Sequence, residues 1–413
     1  MNLLEKNSYV SVTGIGLVTP LGIGVEDSWR NLLSGINACK FDPMLDSMNI
    51  GVSISCRIPN SNLFEQILGK SLIRRIDPFI QMALIAVREA IKDSGVDIES
   101  YDPSRIGIIV GNSLGGTEMF SHELEELKIK KGIVSASTIP GSMMNMVAGQ
   151  IAIDLGIKGR CFVVSTACAS GTTALGIGKE LIESNQCDLV IAGATESPIT
   201  PIVVAGMNRL GALSRNSSCQ EASRPFDVDR DGFVIAEGAG FTILERKKDA
   251  ENRSARVYSY ISGYGESTDA YHVTTPEPEG EGLYTAIQNC LKSANVNSDD
   301  IQHINAHGTS TTLNDLTESK VFNKVFRHQP AVTSTKGATG HTLAASGAIE
   351  SIFTILSIYH SIIPHTLNLK NLDPMVNLDV VQKKPRSALI KHALKTSLGF
   401  GGHNAVLLFT KAH

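Results

Sequence analysis

Cys168 lies where a protein could present a reactive thiol. It follows an apolar run at 161–164 by four residues and precedes a stretch of mostly small residues at 169–178. This pattern predicts a buried strand, a turn that carries the cysteine, and the first turn of a helix. A helix N-terminus offers free backbone N–H groups and the positive end of its dipole, which lower a thiol pKa and can hold an oxyanion. An ordinary buried cysteine is the alternative.

Two histidines occupy similar positions in the second half of the chain. His307 lies in the segment NAHGTST at 305–311, and His341 closes the segment KGATGH at 336–341. Each follows a short apolar or β-branched run, so both are expected in loops at strand ends. A single histidine is more often structural than catalytic. The pair, together with Cys168 and the Gly-rich segment 399–402, indicates one catalytic site.

The hydrophobic pattern places these residues on an α/β framework that repeats. Helices are predicted at 79–94 and 172–184, and strands at 10–13, 106–110, 161–164, 189–192 and 241–244. The order then begins again, with a helix at 283–294, another at 342–360, and strands at 257–262, 301–305, 331–333 and 405–409. Two similar halves are therefore expected to meet near residue 255.

Composition narrows the class of protein. The 413 residues are 42% hydrophobic and carry a net charge of −4, which allows a large core and indicates neither nucleic acid nor an anionic membrane as partner. Residues 1–7 lack the apolar stretch of a signal peptide, and no later segment is expected to span a membrane, so a cytoplasmic location is predicted. The seven cysteines have no paired spacing, which favours free thiols and no metal site.

Several further motifs identify a family resemblance over essentially the whole chain. They are VTGIG at 12–16, ASRPFD at 222–227, RDGFV at 230–234, EGAG at 237–240 and DAYH at 269–272. Together with the cysteine and histidine segments, they resemble the elongating β-ketoacyl-acyl carrier protein synthases, including type II polyketide ketosynthases. The resemblance implies a thiolase-type α/β fold in which two related halves stack as five layers, α-β-α-β-α. Residues 1–255 would carry the cysteine, and residues 256–413 the histidines and the Gly-Phe-Gly-Gly loop.

A Cys-His-His set fits decarboxylative Claisen condensation. The thiol holds the acyl chain, and two imidazoles can support loss of CO2 from a malonyl thioester and stabilise the resulting enolate. By resemblance, Cys168 is the acyl-accepting nucleophile, and His307 and His341 are the decarboxylation pair. Lys336 and Glu350 match a lysine and a glutamate near that site, either as an ion pair that orients the histidines or as direct catalysts.

The resemblance also assigns groups around the reacting atoms. The backbone N–H groups of Cys168 and Phe400 would form the oxyanion hole, and the glycines beside Phe400 would let its ring gate the acyl pocket. Thr309 and Thr311 would hydrogen-bond a phosphopantetheine arm. Leu114 would line the distal acyl pocket, with simple core packing as its alternative.

The implied partner is an acyl carrier protein, which delivers the substrate on its phosphopantetheine, so no cofactor of the chain's own is expected. Because carrier proteins are acidic, a local basic patch must offset the negative net charge. The docking candidates are Arg74 and Arg75, with a second group at Lys128, Lys130 and Lys131. A homodimer or a heterodimer with a homologous chain-length factor is expected.

Three other functions fit less well. A thiolase needs a second late cysteine, whereas none follows Cys290. A dinucleotide-binding turn at 14–16 lacks its third glycine and is interrupted by Pro20. A non-catalytic chain-length subunit typically lacks the nucleophile that Cys168 provides.

The pathway stays open between two alternatives. Segments 311–315 and 397–404 resemble fatty-acid synthases of the Gram-positive kind, and segment 197–204 resembles polyketide ketosynthase subunits. Gly337 and Ala338 replace the Ser-Met usual after the lysine in elongating synthases. The sequence leans towards a polyketide role, with housekeeping fatty-acid elongation as the alternative.

Overall fold

The computed structural model describes residues 9–412. Its strands are β1 (Val10–Thr19), β2 (Gly22–Ile23), β3 (Lys40–Phe41), β4 (Ile54–Ser55), β5 (Ile106–Gly111), β6 (Cys161–Val164), β7 (Leu189–Glu196), β8 (Gly238–Arg246), β9 (Ser259–Thr268), β10 (His303–Asn305), β11 (Ala331–Thr333), β12 (Ile362–Ile363), β13 (Arg386–Ser387), β14 (His392–Gly399) and β15 (His403–Lys411). Its α-helices are α1 (Val25–Leu33), α2 (Pro43–Ser47), α3 (Leu63–Leu68), α4 (Lys70–Ile73), α5 (Pro78–Ser94), α6 (Thr117–Ile129), α7 (Thr138–Ser142), α8 (Met146–Leu155), α9 (Ser170–Glu183), α10 (Pro201–Arg209), α11 (Cys219–Ala222), α12 (Lys247–Asn252), α13 (Glu281–Ala294), α14 (Thr312–Val325), α15 (Lys336–Thr339) and α16 (Ser346–His360).

The strand order repeats on either side of one junction. Strands follow the path β11-β10-β14-β15-β9-β1-β8-β7-β5-β6, and β9 joins β1 through a short antiparallel pairing. In one half β5 is parallel to β6 and β7, and β8 then pairs antiparallel with β7 and β1. In the other, β10 is parallel to β11 and β14, and β15 pairs antiparallel with β14 and β9. Both halves therefore share one topology.

Helices separate and cover the two halves of the sheet. Helices α9 and α16 pack against each other and contact strands of both halves, whereas α5 and α8 cover one outer face and α13 covers the other. This arrangement confirms the expected α-β-α-β-α layering of a thiolase-type fold.

The two central helices approach each other closely near their first turns. A Cβ on Gly171 would lie 2.5 Å from the backbone nitrogen of Ala348, and one on Gly347 would lie 2.5 Å from that of Thr172. Only glycine permits backbones this close. The contact places the start of α9, beside Cys168, against the start of α16, which carries Glu350.

The segment Leu343–His360 is long and apolar enough to span a membrane, contrary to the expectation that no such segment exists. It is 89% buried inside the protein, because α16 fills the layer between the two halves of the sheet. A helix that is apolar all round is typical of such a core position.

Strand β14 is the longest strand absent from the sequence prediction. Its centre carries Lys395 and Thr396 between apolar residues, and a lysine there does not suggest a buried strand. The predicted helix at 342–360 begins with a short 3₁₀ turn at Leu343–Ala345, and α16 follows from Ser346.

Candidate active site

Cys168 lies in a tight turn between β6 and α9. Ala167, just before it, has a φ of 50°, in the left-handed region that residues with a Cβ rarely adopt. The Ser170 hydroxyl closes the turn, because it accepts the N–H of Thr166 at 2.9 Å and donates to the carbonyl of Ala167 at 2.6 Å. The turn holds Cys168 two residues before the start of the helix, at the wall of a cavity.

The hairpin between β14 and β15 lies directly against this turn. A Cβ on Gly399 would lie 2.4 Å from the carbonyl oxygen of Thr166, so the strand end can approach only without a side chain. The backbone N–H of Phe400 hydrogen-bonds the sulfur of Cys168 and lowers its pKa. Within residues 9–412 the N–H of Cys168 itself has no acceptor. The two N–H groups could therefore donate hydrogen bonds to the carbonyl oxygen of a group bound to this sulfur.

The two histidines meet at the same cavity. Their ring centroids are 5.3 Å apart and the rings are nearly perpendicular, at 82°. Nδ1 of His341 lies 2.9 Å from the Ser346 hydroxyl, and the ring of Phe233 packs edge-on against His341 at 4.8 Å. The N–H of His307 donates to Glu318 at 2.8 Å, which fixes its loop.

Lys336 and Glu350 form a buried ion pair behind the histidines. The ammonium of Lys336 lies 2.5 Å from Oε1 of Glu350 and donates to the carbonyl oxygen of His307 at 2.6 Å. Among the described residues that line the cavity, neither of these two is present. The contacts therefore support the ion-pair interpretation over direct contact with substrate.

Burial governs protonation at this site. It raises the pKa of Cys168 to about 12, and Lys336 and the Phe400 N–H offset only part of that rise. The expected low pKa of this thiol is therefore not what the structure gives, because desolvation outweighs the effects of Lys336 and the Phe400 N–H. Burial, and then Lys336, hold the pKa of both His307 and His341 well below the usual value. A protonated thiol thus faces neutral imidazoles.

The cavity has a volume of about 330 Å³ and is lined by both apolar and polar residues. Thr309 and Thr311 line it, with their hydroxyl oxygens 2.9 Å apart. The predicted residues at its wall are Cys168, His307, Thr309, Thr311, His341 and Phe400, and the apolar ones include Met207, Leu210, Phe233, Leu343 and Leu398. Thr274, Thr275 and Pro276 also line it, and the DAYH motif just before them was the available sequence signal.

Leu114 lies outside the group brought together at Cys168. Its side chain is 36% exposed in the single chain, and it is not among the described residues that line the cavity. Its N–H donates at 3.2 Å to Glu196, a fully buried residue with no motif of its own. Burial raises the pKa of Glu196 to about 7.

The docking candidates form two exposed groups away from the cavity wall. Arg74 and Arg75 follow α4, and within the described chain neither has a carboxylate within 4.0 Å. Lys128, Lys130 and Lys131 lie at the end of α6, where Lys130 is paired with Glu126. Lys130 is therefore less available for docking than Arg74 and Arg75.

Lys395 is a charged residue at the site that no sequence motif indicated. Its ammonium lies 2.8 Å from Oε2 of Glu350, on the opposite side of that carboxylate from Lys336.

Comparisons with known proteins agree with this geometry. Residues 7–250 match the family model for the β-ketoacyl synthase N-terminal domain, and residues 258–370 match that for the C-terminal domain. The chain is 40% identical over 413 residues to 3-oxoacyl-[acyl-carrier-protein] synthase 2 of Staphylococcus aureus (strain COL), covering 99% of both chains. It is 36% identical over 414 residues to the enzyme of that name from Coxiella burnetii, again covering 99% of both.

Two solved structures are also similar. One is a type II polyketide ketosynthase bound to a hexaketide, in complex with its acyl-carrier protein, with a TM-score of 0.90 and 30% identity over 98% of this chain and 99% of that one. The other is the ishigamide ketosynthase/chain length factor, with a TM-score of 0.92 and 29% identity over 98% and 99%.

Proposed function

Because the chain belongs to the β-ketoacyl synthase family and is a condensing enzyme of the acyltransferase class, we propose that Cys168, His307 and His341 carry out its condensation. The observation that carries these roles is the meeting of one thiol and two imidazoles, with ring centroids 5.3 Å apart, at the wall of one cavity. The substrates are an acyl chain and a malonyl group, each held as a thioester on the phosphopantetheine of a carrier protein.

The first half-reaction loads the acyl chain onto the enzyme. The sulfur of Cys168 attacks the thioester carbonyl while its proton passes to a neutral imidazole. Only the neutral form can take this proton, because an imidazolium has no free nitrogen lone pair. The N–H groups of Cys168 and Phe400 hold the oxyanion. The carbonyl then re-forms, and the phosphopantetheine thiolate leaves and takes up a proton. Thr309 and Thr311 are placed to hold the arm during this step.

The second half-reaction forms the carbon–carbon bond. The malonyl thioester loses CO2, and the electron pair of the broken bond becomes an enolate whose oxygen accepts hydrogen bonds from His307 and His341. The enolate carbon attacks the acyl carbonyl on Cys168. The thiolate leaves, and a proton restores the thiol. The product is a β-ketoacyl chain, two carbons longer, on the carrier protein.

Replacing the nucleophile tests this assignment. Cys168→Ala is expected to abolish acyl transfer and condensation, measured by mass spectrometry of the enzyme and of the carrier-bound product. Release of CO2 from malonyl carrier protein should persist, because the histidines remain. Cys219→Ala removes a half-buried thiol that is not among the described residues lining the cavity and should behave as wild type. Elongation by the Cys168 variant would contradict the proposal.

Two observations bear on the pathway. The fatty-acid alternative is favoured by 40% identity to a 3-oxoacyl-[acyl-carrier-protein] synthase 2, and the polyketide role by similarity to type II ketosynthases at 29% and 30%. We infer that elongation products distinguish the two. Several condensations without reduction between them would support the polyketide role, and a single condensation on saturated primers would support fatty-acid elongation.

The assembly and location are also proposals. We propose a homodimer, with a chain-length factor as the alternative partner, and carrier-protein docking at Arg74 and Arg75. The repeated strand topology supports a division into halves 1–255 and 256–413. All seven cysteines are free thiols, which supports the cytoplasm as the location.

A further inference from the structure

Lys395 is a fully buried lysine with no route to water. It sits on β14, where side chains alternate between the two faces of the sheet, and its own side chain faces the central helix α16. Its ammonium lies 2.8 Å from Oε2 of Glu350 and also donates to the carbonyl of Thr396. Lysine is almost never fully buried unless paired, so the position needs an explanation.

One carboxylate is shared between two buried cations. Oε1 of Glu350 pairs with Lys336 at 2.5 Å, and Oε2 pairs with Lys395. Glu318, the other carboxylate facing this cluster, accepts hydrogen bonds from the N–H groups of His307 and Gly308 at 2.8 Å and 2.7 Å. Among residues 9–412, Glu350 is therefore the one carboxylate in direct contact with both lysines, while Glu318 is engaged by the backbone of the His307 loop.

The positive charges of both lysines act on the histidines. Lys336 and Lys395 each lower the pKa of His307 and of His341, beyond the effect of burial. Burial lowers the pKa of Lys395 itself to about 8, opposed by Glu350 and Glu318 and assisted by Lys336, so this lysine stays charged at neutral pH. A nearby cation disfavours the protonated imidazole.

We propose that Lys395 is a positioning residue of this enzyme: it shares Glu350 with Lys336 and supplies the second positive charge that keeps His307 and His341 neutral. This inference rests on the proposed roles of the two histidines. Neutrality matters in both half-reactions. An imidazolium cannot accept the thiol proton of Cys168, and it would stabilise the malonyl carboxylate in the ground state instead of favouring its loss.

The test variant is Lys395→Met, which keeps a long side chain and removes the charge. Glu350 retains Lys336, so no carboxylate is left unpaired, and folding should be preserved. The matched control is Lys179→Met, which removes a buried lysine paired with Glu183 at 2.6 Å on α9, outside the cavity wall. Thermal unfolding of both variants checks that they fold.

Two measurements are made across pH on all three proteins. One is CO2 release from malonyl carrier protein, and the other is the NMR titration of 13C-labelled histidine Cε1. In Lys395→Met the histidine pKa values should rise, and the acid limb of CO2 release should move up by about one pH unit, about a tenfold loss of rate on that limb. Above pH 8 the profiles should converge, because the histidines are neutral with or without the charge.

The outcomes separate this inference from the proposed function. Unchanged histidine titration in Lys395→Met, or an equal loss of rate at every pH, would overturn the role of Lys395. A shift of the same size in Lys179→Met would also overturn it. If the wild-type enzyme released no CO2, the proposed function would fail, while the histidine titration would still decide whether Lys395 sets their protonation.

Discussion

Cys168 illustrates how burial and a helix start compete over one thiol. The local sequence correctly places the cysteine before a helix of small residues, and the N–H of Phe400 does favour the thiolate. The depth of the site is set by segments distant in the chain, and desolvation raises the pKa to about 12. The thiol is therefore stored protonated and depends on a neutral base.

Alkylation of Cys168 by iodoacetamide should follow this high pKa. Because only the thiolate reacts, the rate should rise by about tenfold per pH unit between pH 7 and 9, with no plateau. Quantitative peptide mass spectrometry measures the alkylation rate at Cys168, with added glutathione as an internal control of reagent reactivity. A plateau at or below pH 8 would mean that the helix start dominates after all.

Residue motifs predicted the residues that meet at the cavity and missed the charged residues behind them. Cys168, His307 and His341 each lie in a short distinctive segment, so the sequence could identify them. Lys395 and Glu196 lie on strands, where a charged residue normally indicates a solvent-facing side. Their burial arises from helices and strands far away in sequence, and no local pattern encodes it.

At the scale of elements, close approaches between backbone segments position the residues of the candidate site. The α/β order, the repeat and the helices that correspond to α5, α9, α13 and α16 were predicted from periodicity. The pairing of β9 with β1 and the crossing of α9 and α16 at Gly171 and Gly347 were not, because a single glycine does not reveal which backbone approaches it. The approach of Gly399 to Thr166 is a third such contact.

Gly399→Ala should damage the oxyanion hole without unfolding the protein. Its Cβ would lie 2.4 Å from the carbonyl oxygen of Thr166, so the loop of Phe400 must move away from Cys168. Misplacement by about 1 Å can cost about 100-fold in rate, and we expect a loss of that order in acylation of Cys168. Single-turnover mass spectrometry measures it, with Gly149→Ala, whose Cβ meets nothing within 4 Å, as the control. Acylation at the wild-type rate would show that this contact does not position Phe400.

The end of α4 is the element on which docking can be tested. Arg74 and Arg75 are exposed, whereas Lys130 is already paired with Glu126. Arg74→Glu with Arg75→Glu should raise the KM for carrier-bound substrate, more at low salt than at high salt, and leave kcat unchanged. Lys130→Glu serves as the control and should have a smaller effect. A KM equal to wild type at every salt concentration would move the docking site elsewhere.

At the scale of the whole molecule, the sheet edge formed by β6 has no neighbouring strand among the described residues of the single chain. Strand β6 ends the strand path, and its apolar side chain Phe162 is 36% exposed. An open edge strand with an exposed apolar side chain is a template for pairing with another chain. The sequence could name a dimer only through its family resemblance, because no local pattern shows which strand is left at an edge.

Pairing of β6 with its counterpart in a second copy should give a homodimer. Light scattering after size exclusion should report twice the 44.2 kDa of one chain. Phe162→Lys places a charge at this edge and should shift the mass towards the monomer, because burying that charge in an interface is costly. Leu389→Lys, at a position 78% exposed in the C-terminal half, should leave the dimer intact. A wild-type monomer that gains mass only when mixed with a homologous chain-length factor would identify a heterodimer instead, and an intact Phe162→Lys dimer would move the interface away from β6.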